Sequence, residues 1–263
     1  MAEERAGVGG AESIKEAVRA QFGRRVAAYA TSPLHARGAD LDRLVELLDP
    51  SPEQRVLDVG TATGHTALRL AGYVGQVVGV DMTAAMLEMA GHLAAEQGVT
   101  NVRFTLGDAE ALPFDDASFD VVTCRLCAHH FAHVRRAVGE MARVVRPGGL
   151  VAVVDNYAPE EPELDRFINA LETVRDPSHV REYTLTQWRR YYAEAGLTLV
   201  AEDLGEMEIA VDDWLARSAT PPDGVITAHQ LLSAASPAAR ATFSITSSPA
   251  RFNLKRFILV GRR

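Results

Sequence analysis
The run VLDVGTATGHTA, residues 56–67, constrains the fold more than any other part of the chain. It opens as an apolar, β-branched strand that carries an acid near its end, and glycines and threonines then break it before a helical pattern begins. A strand, a glycine turn and a helix N-terminus together present backbone N–H groups to a bound molecule. Nucleotides of several kinds fit such a turn, and the turn alone does not choose among them.

The alternation continues downstream. RVLDV, QVVGVD, NVRFTLGD, FDVVTCR and GLVAVVDN read as strands, with HTALRLAGYV, TAAMLEMAGHLAAEQG and VRRAVGEMARVVRPGG as helices between them. Short apolar strands joined by helices require a parallel sheet covered on both faces. Two later segments, TLVAEDLGEMEI and RFNLKRFILVGRR, read as further strands joined through a long insertion, which suits an antiparallel edge. The expected fold is therefore α/β, a doubly wound, mainly parallel seven-stranded sheet with its core over residues 51–157.

The flanks complete the organisation. Residues 1–10 are polar and glycine-rich and are expected to be disordered. Residues 11–50 form an N-terminal helical lid: Ile14, Val18, Phe22, Val26 and Tyr29 mark one helix face, and Leu41, Leu44, Val45 and Leu48 a second helix stopped by Pro50 and Pro52. Residues 158–184 have helical spacing and are expected to lie over a substrate, and residues 185–263 complete the sheet around a helical insertion at 212–240.

Charge narrows the partners. A net charge of -8 disfavours a chain built to neutralise nucleic-acid phosphates or an anionic membrane, and leaves a small molecule as the expected partner. Cys124 and Cys127 are the only cysteines, and without a second thiol pair their C-x-x-C spacing points away from zinc or redox chemistry, so no metal is expected. No apolar leader and no run approaching about 20 apolar residues is present, which makes a cytoplasmic location the expectation. Oligomeric state has no signature here.

Spacing then tests the ligands. A dinucleotide turn needs G-x-G-x-x-G, but reading from Gly60 gives Ala62 and then His65 where the second and third glycines belong. No tyrosine has a lysine four residues later, and G-x-x-x-x-G-K-[ST] is absent. What remains is acid-x-G-x-x-x-G, from Asp58 through Gly60 to Gly64, followed by Asp81 at the end of the second strand. This pattern resembles the nucleoside-binding signature of class I S-adenosylmethionine-dependent methyltransferases. GDAEALPFDDASFDVV is similar to that family's third-strand motif, and EMARVVRPGGLVAVVD to the segment before its fifth strand. Within the family the chain resembles the ubiquinone and menaquinone biosynthesis C-methyltransferases and their small-molecule relatives. NYAPEEPELDRFINALETVRDPSHVREYTLTQW and FNLKRFILVGRR resemble a bacterial branch of that group.

The resemblance implies a Rossmann-like methyltransferase fold that takes S-adenosyl-L-methionine and methylates carbon, oxygen or nitrogen of a small organic molecule. It implies that Gly60, Thr61, Ala62 and Gly64 lie under the methionine part and that Asp58 orients them. Asp81 holds the ribose hydroxyls, Met82 walls the adenine, Asp108 accepts from the adenine amine and the Ala109 N–H donates to the ring. Tyr29 is a candidate lid over the cofactor, and His35, His179 and Arg181 are further lid candidates. One departure matters: Ala62 stands where the family has glycine, and its methyl costs little at negative φ but crowds the ligand at positive φ.

CAHHF places His129 and His130 just past the fourth strand, at the carboxyl edge where ligands bind in open α/β sheets, and Asp155 ends the fifth strand on the same edge. His129 is expected to act as base with Asp155 aligning it, and His130 to face inward. Two other readings stand beside this one. A cofactor-binding protein with a non-transfer enzymatic or scaffold role has the same turn. An RNA or protein methyltransferase is disfavoured by the acidic balance and by the lack of an N-P-P-Y-type sequence after FDVVTC.

Overall fold
The computed structural model of the chain describes residues 8–263. Its strands are β1 (Arg55–Val59), β2 (Gln76–Asp81), β3 (Val102–Leu106), β4 (Phe119–Arg125), β5 (Val145–Asn156), β6 (Thr198–Ala210), the two-residue β7 (Thr246–Ser247) and β8 (Ala250–Arg262). They form one sheet in the order β3-β2-β1-β4-β5-β8-β6, with β7 pairing β8, so a short strand joins the seven read from the sequence. Neighbours from β3 through β5 are parallel, and β8 runs antiparallel to both β5 and β6. The order reverses between β1 and β4, and at that switch point the loops leave the carboxyl edge in opposite directions and open a crevice.

The helices, in chain order, are α1 (Val8–Gly23), α2 (Val26–Ala30), α3 (Pro33–Arg37), α4 (Ala39–Leu48), α5 (His65–Ala71), α6 (Ala84–Glu96), α7 (Val134–Val144), α8 (Pro162–Arg175), α9 (Leu185–Glu194), α10 (Val211–Arg217), α11 (Pro222–Ser233) and α12 (Pro237–Thr242). Leu44, Val45 and Leu48 of α4 and Leu70 of α5 pack with Val56, Val77 and Val154 on one face of the sheet. Val138 and Met141 of α7 and Trp188 and Tyr192 of α9 pack with Leu57, Val122 and Val153 on the other. Both faces of the central strands are thereby dry, which is why those strands show no polar alternation. A third apolar cluster joins Leu164, Ile168 and Leu171 of α8 to Trp214 and Leu215 of α10 and to Phe252 and Leu254 of β8. It fixes the inserted helices beside the carboxyl edge.

Three boundaries differ from the sequence reading. Of the segment expected to be disordered, residues 1–7 lie outside the described residues and 8–10 form the first turn of α1. The stripe from Ile14 to Tyr29 is not one helix: α1 ends at Gly23, where glycine weakens helix propagation, and α2 restarts at Val26. Residues 145–149, read as the tail of the preceding helix, already belong to β5. Among the described residues no helix is long and apolar enough to cross a membrane.

Candidate active site
The glycine turn is built on a buried acid. Asp58 is 1% exposed, accepts from the Thr61 hydroxyl at 2.6 Å and from the Thr123 hydroxyl of β4 at 2.8 Å, and thereby ties the turn to the neighbouring strand. Burial pushes its carboxyl up to about 6, against the pull of the two hydroxyls. Asp58 lies beneath the cavity rather than on its wall. Gly60 and Gly64 both take left-handed backbone, at φ +66° and +85°, and a Cβ on Gly60 would run into Cys127 Sγ. Cys127 therefore backs the turn. It and Cys124 are free thiols with their sulfurs 3.2 Å apart. Ala62 also takes left-handed backbone, at φ +46°, the conformation in which its methyl is unfavourable.

Above the turn lies a cleft of about 960 Å3 including its open mouth. Gly60, Thr61 and Ala62 form its floor, and Asp81, Met82, Asp108 and Ala109 line its far side; Gly64 is outside the wall. Asp81 accepts from the Ala62 N–H at 2.9 Å and the Thr83 N–H at 2.8 Å, one on each oxygen, and burial raises its carboxyl pKa despite these bonds. Each oxygen keeps a lone pair for a ligand hydroxyl. At the end of the cleft Asp108 accepts from Lys15 of α1 at 2.6 Å and from the Glu110 N–H at 2.8 Å. Lys15 also reaches Glu110 at 2.9 Å, and although burial opposes its charge, the two carboxylates raise its pKa. The N-terminal helix is thus latched over the cleft by an ion pair.

A second cavity, about 720 Å3 with its mouth, adjoins the first. Tyr29, His35, Leu126 and His130 line both. His129 lines only the second: its Nδ1–H donates to Asp155 Oδ1 at 2.6 Å and its backbone N–H to Asp155 Oδ2 at 3.1 Å. This bond assigns the proton to Nδ1 and leaves Nε2 as the free nitrogen of the neutral ring. Burial works against protonation of His129, but the Asp155 carboxylate outweighs it and holds the imidazole above its usual value, while Asp155 is itself held below the usual carboxylate range. His130 is buried, as the sequence suggests, and also borders both cavities. Its Nδ1 donates to the Ser178 carbonyl at 3.0 Å, and burial together with the charge on His129 lowers its pKa to about 4.

The remaining lid candidates separate. His35 lines both cavities, and burial followed by the Arg125 charge lowers it to about 3. His179 and Arg181 line neither: they bond Asn169 at 3.2 Å and Asp165 at 2.6 Å and tie the segment after α8 back onto that helix. Several wall residues carried no sequence signal. Lys15 is adjacent to an apolar stripe, and Arg125, Arg175, Arg217 and Arg256 are spread over four elements. Arg125 grips Asp40 through Nε at 2.7 Å and Nη2 at 3.1 Å and donates from Nη1 to the His35 carbonyl at 3.0 Å, anchoring α3 and α4 beside the cavities. Among the described residues no group of three or more His, Cys, Asp or Glu is placed to hold a metal ion.

Known proteins show the same framework. A family model described as "Methyltransferase domain" matches residues 57–153. The "Uncharacterized methyltransferase YcgJ" of Bacillus subtilis (strain 168) is 43% identical over 244 residues, covering 91% of this chain and 96% of that protein. The crystal structure of YcgJ superposes with a TM-score of 0.82 at 42% identity, covering 85% of this chain and 97% of that one. The demethylmenaquinone methyltransferase of Thermus thermophilus is 41% identical over 127 residues, 46% of this chain and 57% of that protein. The similarity to YcgJ spans 91% of this chain and 96% of that protein, well beyond the segment that the family model matches, and on that ground the chain belongs to the class I S-adenosylmethionine-dependent methyltransferases, related to YcgJ and to the menaquinone and ubiquinone methyltransferases.

Proposed function
We propose that the protein transfers a methyl group from S-adenosyl-L-methionine, held in the first cavity, to a small organic acceptor held in the second. The observation that carries this reading is the adjacency of the two cavities across Tyr29, Leu126 and His130: one has the acid and glycine chemistry of a nucleoside site and the other a histidine–carboxylate pair. The donor set fits the cofactor. Asp81 has spare lone pairs for two ribose hydroxyls, Met82 supplies an apolar wall, Asp108 accepts from the adenine amine, the Ala109 N–H donates to the ring, and the turn from Gly60 through Ala62 cradles the methionine portion. Asp58 holds that turn rather than the ligand.

When bound, the cofactor supplies an electrophilic methyl on a sulfonium whose charge the transfer discharges. The chain's own part is alignment and water exclusion, with Tyr29 and Phe22 closing over the junction of the cavities. For an acceptor that carries a proton on its nucleophilic atom, His129 Nε2 takes that proton, and Asp155 steadies the imidazolium that forms. His130, held largely neutral, shapes the junction. The acidic balance of the whole chain accords with a small-molecule acceptor rather than a nucleic acid.

Two measurements test the reading. Calorimetric titration with S-adenosylhomocysteine should show binding that Asp81→Asn weakens about ten- to a hundredfold, because one charge-assisted bond to the ribose is replaced by a donor facing a donor. Incubation with methyl-labelled S-adenosylmethionine and a metabolite extract of the host should label a small molecule. Equal affinity in a folded Asp81→Asn protein, or stabilisation by NAD instead, removes the assignment of the first cavity.

A further inference from the structure
The second cavity is lined by three guanidinium groups in a chain whose net charge is -8: Arg175 at the end of α8, Arg217 at the end of α10 and Arg256 in β8. Their hydrogen bonding is incomplete. Arg175 bonds Glu172 at 3.0 Å through Nη1 and lies over the Trp214 ring, but its Nε is buried with no acceptor. Arg256 is 9% exposed, its Nε is likewise buried with no acceptor, and its ion-pair contact, at 3.4 Å, is to an Asp40 oxygen that Arg125 already holds. Arg217 is exposed and makes no salt bridge among the described residues. The one acid on the wall, Asp176, spends Oδ1 on the Ser178 N–H at 2.9 Å and hydroxyl at 2.7 Å. The covered Nε–H groups stay within the wall, but Arg175 Nη2 and the Nη groups of Arg217 and Arg256 make no hydrogen bond among the described residues, and those outer donors are the ones an occupant of the cavity can satisfy.

Resting on the methyltransferase reading above, we propose that the acceptor is an organic anion whose carboxylate or phosphate is clamped by Arg175, Arg217 and Arg256, with its nucleophilic atom left toward His129. The three guanidinium groups come from three elements of the inserted helices and the antiparallel edge, and His129 and Tyr29 enter the same cavity from the sheet's carboxyl edge and the N-terminal helices. Planar, multi-donor cations suit an oxyanion better than a neutral polar group, because each presents paired N–H groups at the spacing of two oxygens. The anion is an anchor and not the methylated group, since the clamp occupies its oxygens.

The test uses the full chain saturated with S-adenosylhomocysteine and three probes at constant ionic strength: phenylacetate, phenyl phosphate and the neutral isostere phenylacetamide. Calorimetry should show saturable binding of at least one anion, tighter than the amide by about tenfold or more, the margin expected of charge-assisted bonds. Binding of phenyl phosphate alone identifies the anchor as a phosphate, and of phenylacetate alone as a carboxylate. Arg256→Met should abolish the preference while S-adenosylhomocysteine affinity stays at the wild-type value. Arg217→Met, at an exposed position, provides the same comparison should the buried Arg256 variant fail to fold. Equal binding of anion and amide, no saturable anion binding, or an unchanged preference in Arg217→Met overturns the proposal. Repeating the anion titration without S-adenosylhomocysteine keeps the two readings apart: a protein that ignores the nucleoside yet binds the anion refutes the first and leaves the clamp standing.

Discussion
Ala62 is where this chain departs from its family's glycine pattern, and the departure has a calculable consequence. Its φ of +46° lies in the left-handed region, where an L-residue with a Cβ costs about 1–2 kcal/mol and glycine costs nothing comparable. The unfolded chain works the other way, because glycine there has more freedom to lose, about 0.4–1 kcal/mol. The difference for Ala62→Gly is a net stabilisation of up to about 1.6 kcal/mol, a rise of up to roughly 6 °C in the unfolding midpoint for a chain of this size. The Asp81 bond should survive, since the Ala62 N–H that donates at 2.9 Å is a backbone group. S-adenosylhomocysteine should therefore bind the variant at least as tightly as wild type, with one methyl fewer on the cleft floor. Ala62→Val is the opposing control, because a β-branched residue fits this backbone worse than alanine and should lower the midpoint. Thermal unfolding of the three proteins, followed by calorimetric titration, measures both effects. A fall in midpoint for Ala62→Gly, or no change for Ala62→Val, would refute the strain argument.

Replacing His129 by Ala should lower turnover on an acceptor that loses a proton by about a hundred- to ten-thousandfold while leaving S-adenosylhomocysteine affinity within about twofold, read by steady-state kinetics and calorimetry. Because Asp155 raises the His129 pKa above its usual 6.5 and a base acts only when deprotonated, the wild-type rate should fall as pH drops through a value above 6.5. Asp155→Asn removes the charge that opposes burial, so the inflection should move to lower pH, and an unmoved inflection assigns it to another group. Asp40→Ala removes the carboxylate that pairs with the buried Arg125 guanidinium, leaving it the His35 carbonyl, and should cost about 3–5 kcal/mol in denaturant unfolding; a loss below about 1 kcal/mol would mean that the remaining bonds of Arg125 suffice.

The sheet and the cavity over the glycine turn were legible in the sequence because both rest on local patterns. Apolar strands of five to seven residues, a glycine turn and the acid ending β2 each lie within one short stretch, and backbone geometry carries them into register. The His129–Asp155 pair was legible for a similar reason: β4 and β5 are parallel neighbours, so the residues just past their ends share an edge. The second cavity was not, since Arg175, Arg217 and Arg256 meet only after two helical insertions fold back over β8, and no spacing in the chain encodes that return. Lys15 was hidden differently. It projects from a helix whose apolar stripe marks a packing face, and only the position of α1 over Asp108 and Glu110 turns it into a latch.

The segment RLCAHH, residues 125–130, explains why the two cavities form as one unit. Arg125 anchors the α3–α4 region through the His35 carbonyl and Asp40. Leu126 turns left-handed at φ +56°, with its N–H donating to the Val154 carbonyl at 2.8 Å, and that reversal redirects the chain across the carboxyl edge. Cys127 then backs Gly60, His129 bonds Asp155, and His130 meets Phe22 of α1 edge-on at 4.9 Å while bordering both cavities. Five of these six residues thus reach four parts of the fold: Arg125 the α3–α4 region, Leu126 and His129 the end of β5, Cys127 the glycine turn and His130 the N-terminal helix. A six-residue stretch with so many destinations cannot show a periodic pattern, which is why its histidines could be placed on an edge from the sequence but not assigned, His129 to the second cavity alone and His130 to the junction of the two. The same arrangement links closure to assembly, because the N-terminal helices latched by Lys15 over the first cavity also bring Tyr29 and His35 to the wall of the second.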